Sequence, residues 1–265
     1  MWIDTHCHLD AAEFAEGAPA VAQAALDAGV GMIVIPAVER ANFATCAMLG
    51  RTLPNACYAL GIHPMYVPRA TEDDLQVLQQ QVALAINDPR FVAIGEIGLD
   101  LFIPALKEGA MRAKQAHFYS QQLQIAREFG LPVLLHVRRS QDEILKQLRK
   151  IRVTGGIVHA FNGSFQQANI FVDLGFKLGL GGAMTFTRAL QIRRLASEMP
   201  LASLVLETDA PDIAPSWLHP ARNSPAQLPA IGAVLAGLRQ LPEAELMPAL
   251  QANACACLPR LGALM

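Results

Sequence analysis

Two imidazoles stand two residues apart, His6 and His8, in the stretch Trp2-Ile3-Asp4-Thr5-His6-Cys7-His8-Leu9. Read as a strand, this stretch sends Asp4, His6 and His8 to one face and Thr5 and Cys7 to the other. A neutral imidazole is a metal ligand, so two on one face are half of a site. A lone His-x-His is as readily a hydrogen-bonded surface pair, and the rest of the chain must supply the partners.

Four later stretches do so. Val92-Ala93-Ile94-Gly95-Glu96-Ile97-Gly98-Leu99-Asp100 buries a carboxylate, Glu96, in an apolar run; such a group is costly unless a cation meets it. Val133-Leu134-Leu135-His136-Val137-Arg138 ends with His136 and Arg138 on one face, Gly156-Ile157-Val158-His159 supplies His159, and Leu204-Val205-Leu206-Glu207-Thr208-Asp209 supplies Asp209 with Glu207 one layer below. Singly, each has a plainer role: His136 as a core histidine, Glu96 as a partner for Arg138, Asp209 as a helix cap. Together, His6, His8, Glu96, His136, His159 and Asp209 make a nitrogen-and-oxygen ligand set. It is too large for one tetrahedral zinc and suits two divalent ions about 3.5–4 Å apart. Glu96 is the natural bridge and Asp209 the candidate general base. Mixed His/carboxylate sites accept Zn²⁺, Mn²⁺ or Mg²⁺, and the choice among them stays open.

The elements that must position these residues alternate. Eight apolar or Gly-bounded runs read as strands: Trp2–Leu9, Gly31–Ala37, Ala56–Pro64, Phe91–Asp100, Leu131–Arg138, Gly155–Phe161, Phe176–Ala183 and Ser203–Ala210. Helical patterns separate most of them, and two further helical stretches, about 226–238 and 243–258, close the chain. Eight strand–helix repeats predict a (β/α)₈ TIM barrel, one α/β domain spanning residues 1–265. An open doubly wound sheet is the alternative. No Gly-x-Gly-x-x-Gly turn follows the first strand, and polar residues end most strands, which only a barrel mouth brings together.

The 265 residues carry 52% hydrophobic side chains and a net charge of −2, ample for a core and unlike a protein that grips duplex DNA by bulk charge. The cysteines Cys7, Cys46, Cys57, Cys255 and Cys257 form no Cys-x-x-Cys pair and read as reduced thiols. With neither a signal-peptide pattern nor an apolar run of membrane length, the expectation is a cytoplasmic protein, acting as a monomer and without a membrane partner.

The motifs resemble those of the TatD family of metal-dependent hydrolases and deoxyribonucleases, amidohydrolase-like barrels, in family order along essentially the whole chain. They are Asp4-Thr5-His6-Cys7-His8, Gly61-Ile62-His63-Pro64, Gly95-Glu96-Ile97-Gly98-Leu99-Asp100, His136-x-Arg138, His159-Ala160-Phe161-x-Gly163 and Glu207-Thr208-Asp209-Ala210-Pro211. The resemblance implies a barrel with a two-metal site held by His6, His8, Glu96, His136, His159 and Asp209. It also implies hydrolysis of phosphodiester bonds, in some members 3′-to-5′ trimming of DNA, so single-stranded DNA ends or a small phosphodiester are the expected partners. Ala160, Asp212 and Leu101-Phe102-Ile103-Pro104 depart from the usual family residues at positions that bear on substrate contacts. His63, Arg138 and Arg222 are candidate phosphate contacts; either arginine is alternatively a structural partner for Glu207 or Asp212. The rival chemistry is a small-molecule amidohydrolase, whose activated water attacks a carbonyl, and a third possibility is a metal-binding scaffold without turnover.

Overall fold

Val30-Gly31-Met32-Ile33-Val34-Ile35-Pro36 is buried along its whole length, the pattern of a parallel strand covered on both faces. It is the second of eight strands in the computed structural model, which describes residues 1–265. They are β1 (Trp2–Asp4), β2 (Val30–Pro36), β3 (Ala56–Leu60), β4 (Phe91–Asp100), β5 (Val133–Arg138), β6 (Gly156–Val158), β7 (Phe176–Leu180) and β8 (Leu204–Leu206). They pair in chain order, every pair parallel.

The crossovers carry the helices α1 (Ala18–Asp27), α2 (Phe43–Thr52), α3 (Glu72–Ala85), α4 (Gly109–Glu128), α5 (Gln141–Lys150), α6 (Phe165–Asp173) and α7 (Leu190–Glu198). After β8 come α8 (Leu228–Arg239), α9 (Glu243–Cys257) and the single turn α10 (Pro259–Gly262). The α3 start shows why the boundaries fall where they do. Thr71 and Asp74 cap each other's backbone in a capping box, and Glu72, Asp73 and Asp74 place negative charge on the helix's positive end.

Several strands are shorter than their apolar runs, because the chain leaves the ladder early to build the mouth. β1 ends at Asp4. Beyond it, closure against β8 runs through loop backbone: Thr5 N to Leu206 O, Asp209 N to His6 O and His8 N to Ala210 O. Asp4 adds a clasp, accepting hydrogen bonds from Thr208 N at 2.9 Å and Thr208 Oγ1 at 2.6 Å. The result is a (β/α)₈ barrel.

Two apolar layers hold it. The larger lies between sheet and helices, with Phe91, Phe118, Phe171 and Phe176 among its residues. The smaller fills the barrel: Ile3, Met32, Val34, Cys57, Val92, Leu134, Ile157 and Val205, stoppered by Ala254, Cys257, Leu258 and Leu261 of the C-terminal segment. Arg260 of α10 ties this stopper to the floor by donating to the carbonyls of Phe91, Ile86 and Asp88.

Candidate metal centre

At the opposite end, the C-terminal ends of the strands deliver the polar residues, as barrel architecture requires of an active site. On β5, Leu134 sits in the barrel core, with His136 and Arg138 two and four residues on. Ile157 is followed likewise by His159, and Val205 by Glu207 and Asp209. Strict alternation fails for β1 and β4. Ile3 belongs to the barrel interior, so a regular strand would turn His6 outward; the irregular backbone after Asp4 turns it in. The pairing of β4 with β5 slips between Ile94 and Ile97, at Glu96 itself.

Glu96 is the hub, buried with 1% exposure. Its Oε2 lies 3.1 Å from His6 Nε2 and 3.5 Å from His8 Nε2. Its Oε1 lies 3.0 Å from His136 Nδ1, 3.4 Å from His63 Nε2 and 3.6 Å from His159 Nε2. Asp209 Oδ1 closes the first side, 3.6 Å from both His6 Nε2 and His8 Nε2. All six ligands expected from the sequence are thus brought together.

His63 joins them. Expected to contact phosphate, it lines the cleft and also packs inside the cluster, its Nε2 2.9 Å from His136 Nδ1, and three groupings emerge: His6, His8 and Asp209; His6, Glu96 and His159; His63, Glu96 and His136.

Burial and charge set the protonation of the metal-free cluster. Burial, with His159 close by, lowers His6 to about 3, and burial lowers His63 to about 4. For Glu96 burial acts upward, yet His63, His6 and His159 outweigh it and hold the carboxyl well below the usual range. Burial likewise pulls His159 down, but Asp209, Glu207 and Glu96 carry it up to about 10. Burial lifts Asp209 to about 6 against the pull of His159 and His8.

Two carboxylates behind the cluster orient its rings. Glu207 accepts from the Ala160 backbone N–H and lies 3.2 Å from His159 Nδ1, so His159 turns Nε2 toward Glu96. Space for Glu207 exists only because residue 179 is glycine: a Cβ there would collide with Glu207 Oε2. Asp100 Oδ2 lies 3.3 Å from His136 Nε2, and its Oδ1 accepts from the N–H groups of Phe102 and Ile103. Such partners fix ring orientation in metal sites. Sequence reasoning gave Glu207 and Asp100 no such task. Asp209 itself is held at φ 56°, a left-handed backbone costing a non-glycine about 1–2 kcal/mol.

The donors fit divalent cations. His8 Nε2 makes no hydrogen bond, yet it lies 3.5 and 3.6 Å from two carboxylate oxygens. Those spacings are long for a hydrogen bond and natural for ligands that share an ion with bonds of about 2.0–2.2 Å. Only imidazole and carboxylate donors face inward, a set suited to zinc, manganese or similar ions.

The cluster opens into a cleft of about 930 Å³ lined also by Tyr66, Phe102, Arg138, Arg139 and Asp212. Arg138 is on its rim as expected, 3.8 Å from Asp100. Arg222 is not. It pairs with Glu16 through both terminal nitrogens, donates to Glu13 O, and lines an adjoining cleft with Phe186 and His219. Neither arginine pairs with Glu207 or Asp212. His117, on α4, is an exposed partner of Glu72. No helix is long and apolar enough to cross a membrane.

Known proteins share this fold. Residues 3–259 match the family model described as TatD related DNase. An uncharacterized metal-dependent hydrolase of Escherichia coli K12, YjjV, is 41% identical over 253 residues, covering 95% of each chain. The crystal structure of YjjV, a TatD homologue, superposes with a TM-score of 0.91 over 97% of this chain and 98% of that one, at 40% identity. A protein of Erwinia billingiae named 3′-5′ ssDNA/RNA exonuclease TatD is 31% identical, covering 91% of this chain and 93% of its own. The chain belongs to the TatD family of metal-dependent hydrolases.

Proposed function

We propose that this protein is a phosphodiesterase acting on single-stranded nucleic-acid ends in the 3′-to-5′ direction, with two divalent ions held in the cluster. The observation that carries the reading is the division of Glu96: one oxygen faces His6 and His8, the other His136, His63 and His159. A carboxylate so shared is what a two-metal site needs as its bridge. His6, His8 and Asp209 would hold one ion, and His136 with His63 or His159 the other. The exonuclease name of the Erwinia relative supports the substrate class.

Bound ions supply a lowered water pKa and neutralise charge on the phosphoryl oxygens. The chain's own residues do the rest. Asp209, raised to about 6 by burial, takes a proton from the attacking water as the new P–O bond forms. The bond from phosphorus to the leaving oxygen breaks, and Asp209 returns the proton to that oxygen, which leaves as an alcohol. Arg138, whose guanidinium lies 3.8 Å from Asp100 on the cleft rim, contacts the phosphate under attack. Burial of His6, His63, Glu96 and His159 keeps bulk water from competing for the ligand atoms.

The test is hydrolysis of end-labelled single-stranded DNA and of a generic phosphodiester. Metal-stripped protein is resupplied with Mg²⁺, Mn²⁺ or Zn²⁺, with Asp209→Asn as control. Metal-restored shortening from the 3′ end, absent in the variant, is the expected result. Cleavage of neither substrate would overturn the reading and favour attack on a carbonyl.

A further inference from the structure

We propose that Arg139, braced on Phe102, is the centre of a second anion subsite on the cleft rim, one that takes a phosphate of the substrate other than the one being cleaved. The identity of the ligand rests on the phosphodiesterase reading; the existence of the subsite does not.

Two exposed guanidinium groups approach the same ring: the Cζ of Arg138 lies 3.9 Å and that of Arg139 4.7 Å from the Phe102 centroid. All three residues line the cleft that holds the histidine cluster. Stacking on an aromatic face fixes a guanidinium plane and pre-organises its fork for a planar or tetrahedral oxyanion. Two guanidinium groups held side by side raise the local positive potential and attract anions. Protein carboxylates do not supply it: Arg138 has only Asp100 at 3.8 Å, already engaged with His136 and two backbone N–H groups, and Arg139 forms no ion pair.

The backbone favours the same conclusion. Arg139 sits at φ 56°, a conformation that costs a residue with a side chain about 1–2 kcal/mol. This sharp turn leads from β5 directly into α5. Ser140, the residue that would cap α5, spends its hydroxyl on Leu99 O at 2.7 Å, so no side chain caps the first-turn N–H groups. The positive end of a ten-residue helix therefore follows immediately after Arg139 and adds to the local potential. Its own first-turn acids face other partners: Asp142 accepts from Gln167, and Glu143 pairs with Arg112.

The cleft is polarised. Asp10, Glu13 and Asp212 line it as well, and they come from the β1 and β8 loops, whereas Arg138 ends β5 and Arg139 follows it. A substrate with two phosphates is thus oriented: one phosphate at the cluster, the next toward Arg139, and no phosphate over the acidic lip. Charge-assisted fork contacts of this kind are worth about 10- to 100-fold in affinity.

The experiment is calorimetric binding of thymidine 3′,5′-bisphosphate and thymidine 5′-monophosphate to the metal-loaded protein at low salt. The bisphosphate is expected to bind at least about tenfold more tightly. Arg139→Gln should bring that ratio near one, Phe102→Ala should reduce it, and Arg139→Lys should keep part of it. Arg149→Gln, which removes an exposed charge from the far end of α5, should leave it unchanged. Equal affinities in the unaltered protein, or a preference that survives Arg139→Gln, would overturn the subsite. Binding is read without turnover, so a protein that shows the Arg139-dependent preference but cleaves no phosphodiester would retain the subsite and lose the phosphodiesterase reading.

Discussion

The two ends of the barrel are built from the same strands and obey opposite rules. At the floor, Ile3, Val92, Leu134, Ile157 and Val205 are closed off by Leu258 and Leu261, and stability comes from apolar surface removed from water. At the mouth, a few residues along those strands, His6, Glu96, His136, His159 and Asp209 bring charge and imidazole into a space almost as dry. Such groups do not stabilise a fold by being buried, and removing one partner strands the other. The floor supports the fold. The mouth draws on that stability to hold donors that only cations satisfy.

Asp209→Asn should produce the largest contrast. It keeps the side chain's shape and removes the proposed base, so kcat on a phosphodiester should fall about 10²- to 10⁴-fold. The thermal midpoint of the metal-free protein at neutral pH should not fall, because burial raises the Asp209 pKa to about 6 and so makes its ionised form a cost to the fold. Leu261→Ala should behave in reverse: a loss of about 2–5 kcal/mol in denaturant unfolding, with kcat of the remaining folded protein unchanged. A floor substitution that abolished turnover in folded protein would break the division.

Glu207→Gln probes the layer that couples the two. Weakening the partner of His159 Nδ1 should reduce metal affinity about 10- to 100-fold, measured by competition with a chelating dye. The same histidine sets a pH dependence. Its metal-free pKa of about 10 lies above the unfolded value near 6.5, because Asp209, Glu207 and Glu96 outweigh burial. The proton therefore stabilises the metal-free fold fully below about pH 6.5, and that contribution is lost as pH rises through about 10. Ligation requires its release, so metal affinity should climb about tenfold per pH unit between about pH 7 and 9. Affinity independent of pH over that window would show that His159 is not a ligand.

Much of this was legible in the chain. Unbroken apolar strands such as β2 and capped helices such as α3 announce the alternation that closes a barrel, and His136, His159 and Asp209 fall at strand ends by simple two-residue spacing from Leu134, Ile157 and Val205. What stayed hidden depends on backbone irregularity or on distant partners. β1 stops at Asp4 because loop hydrogen bonds to Leu206 and Ala210 replace the ladder, and the slip in β4 at Glu96 has no hydrophobic signature. His63 reads from the sequence as a phosphate contact and carries no sign of its neighbour; only the juxtaposition of β3, β4 and β5 places it against His136. Glu207 meets His159 across 48 residues of sequence.

Arg222 carries the smallest expected effect and the sharpest test of where the mouth ends. In the sequence it stands in the loop Pro220-Ala221-Arg222-Asn223-Ser224-Pro225 after β8, whose resemblance to a family segment suggests a phosphate contact. In the fold its guanidinium is turned away to Glu16, 206 residues distant in the chain, and stacks 4.7 Å from the Phe14 centroid. Both partners of that pair are solvent-accessible, and pairs of this kind contribute little. Arg222→Gln should therefore leave kcat/KM for single-stranded DNA within about twofold of the unaltered protein, at low and at high salt alike. Arg138→Gln should lower it and flatten its salt dependence, since one phosphate contact fewer releases one counterion fewer. Equal losses in the two variants would mean that the substrate's path crosses both clefts and that the functional mouth reaches past Asp212 to the Glu16 pair.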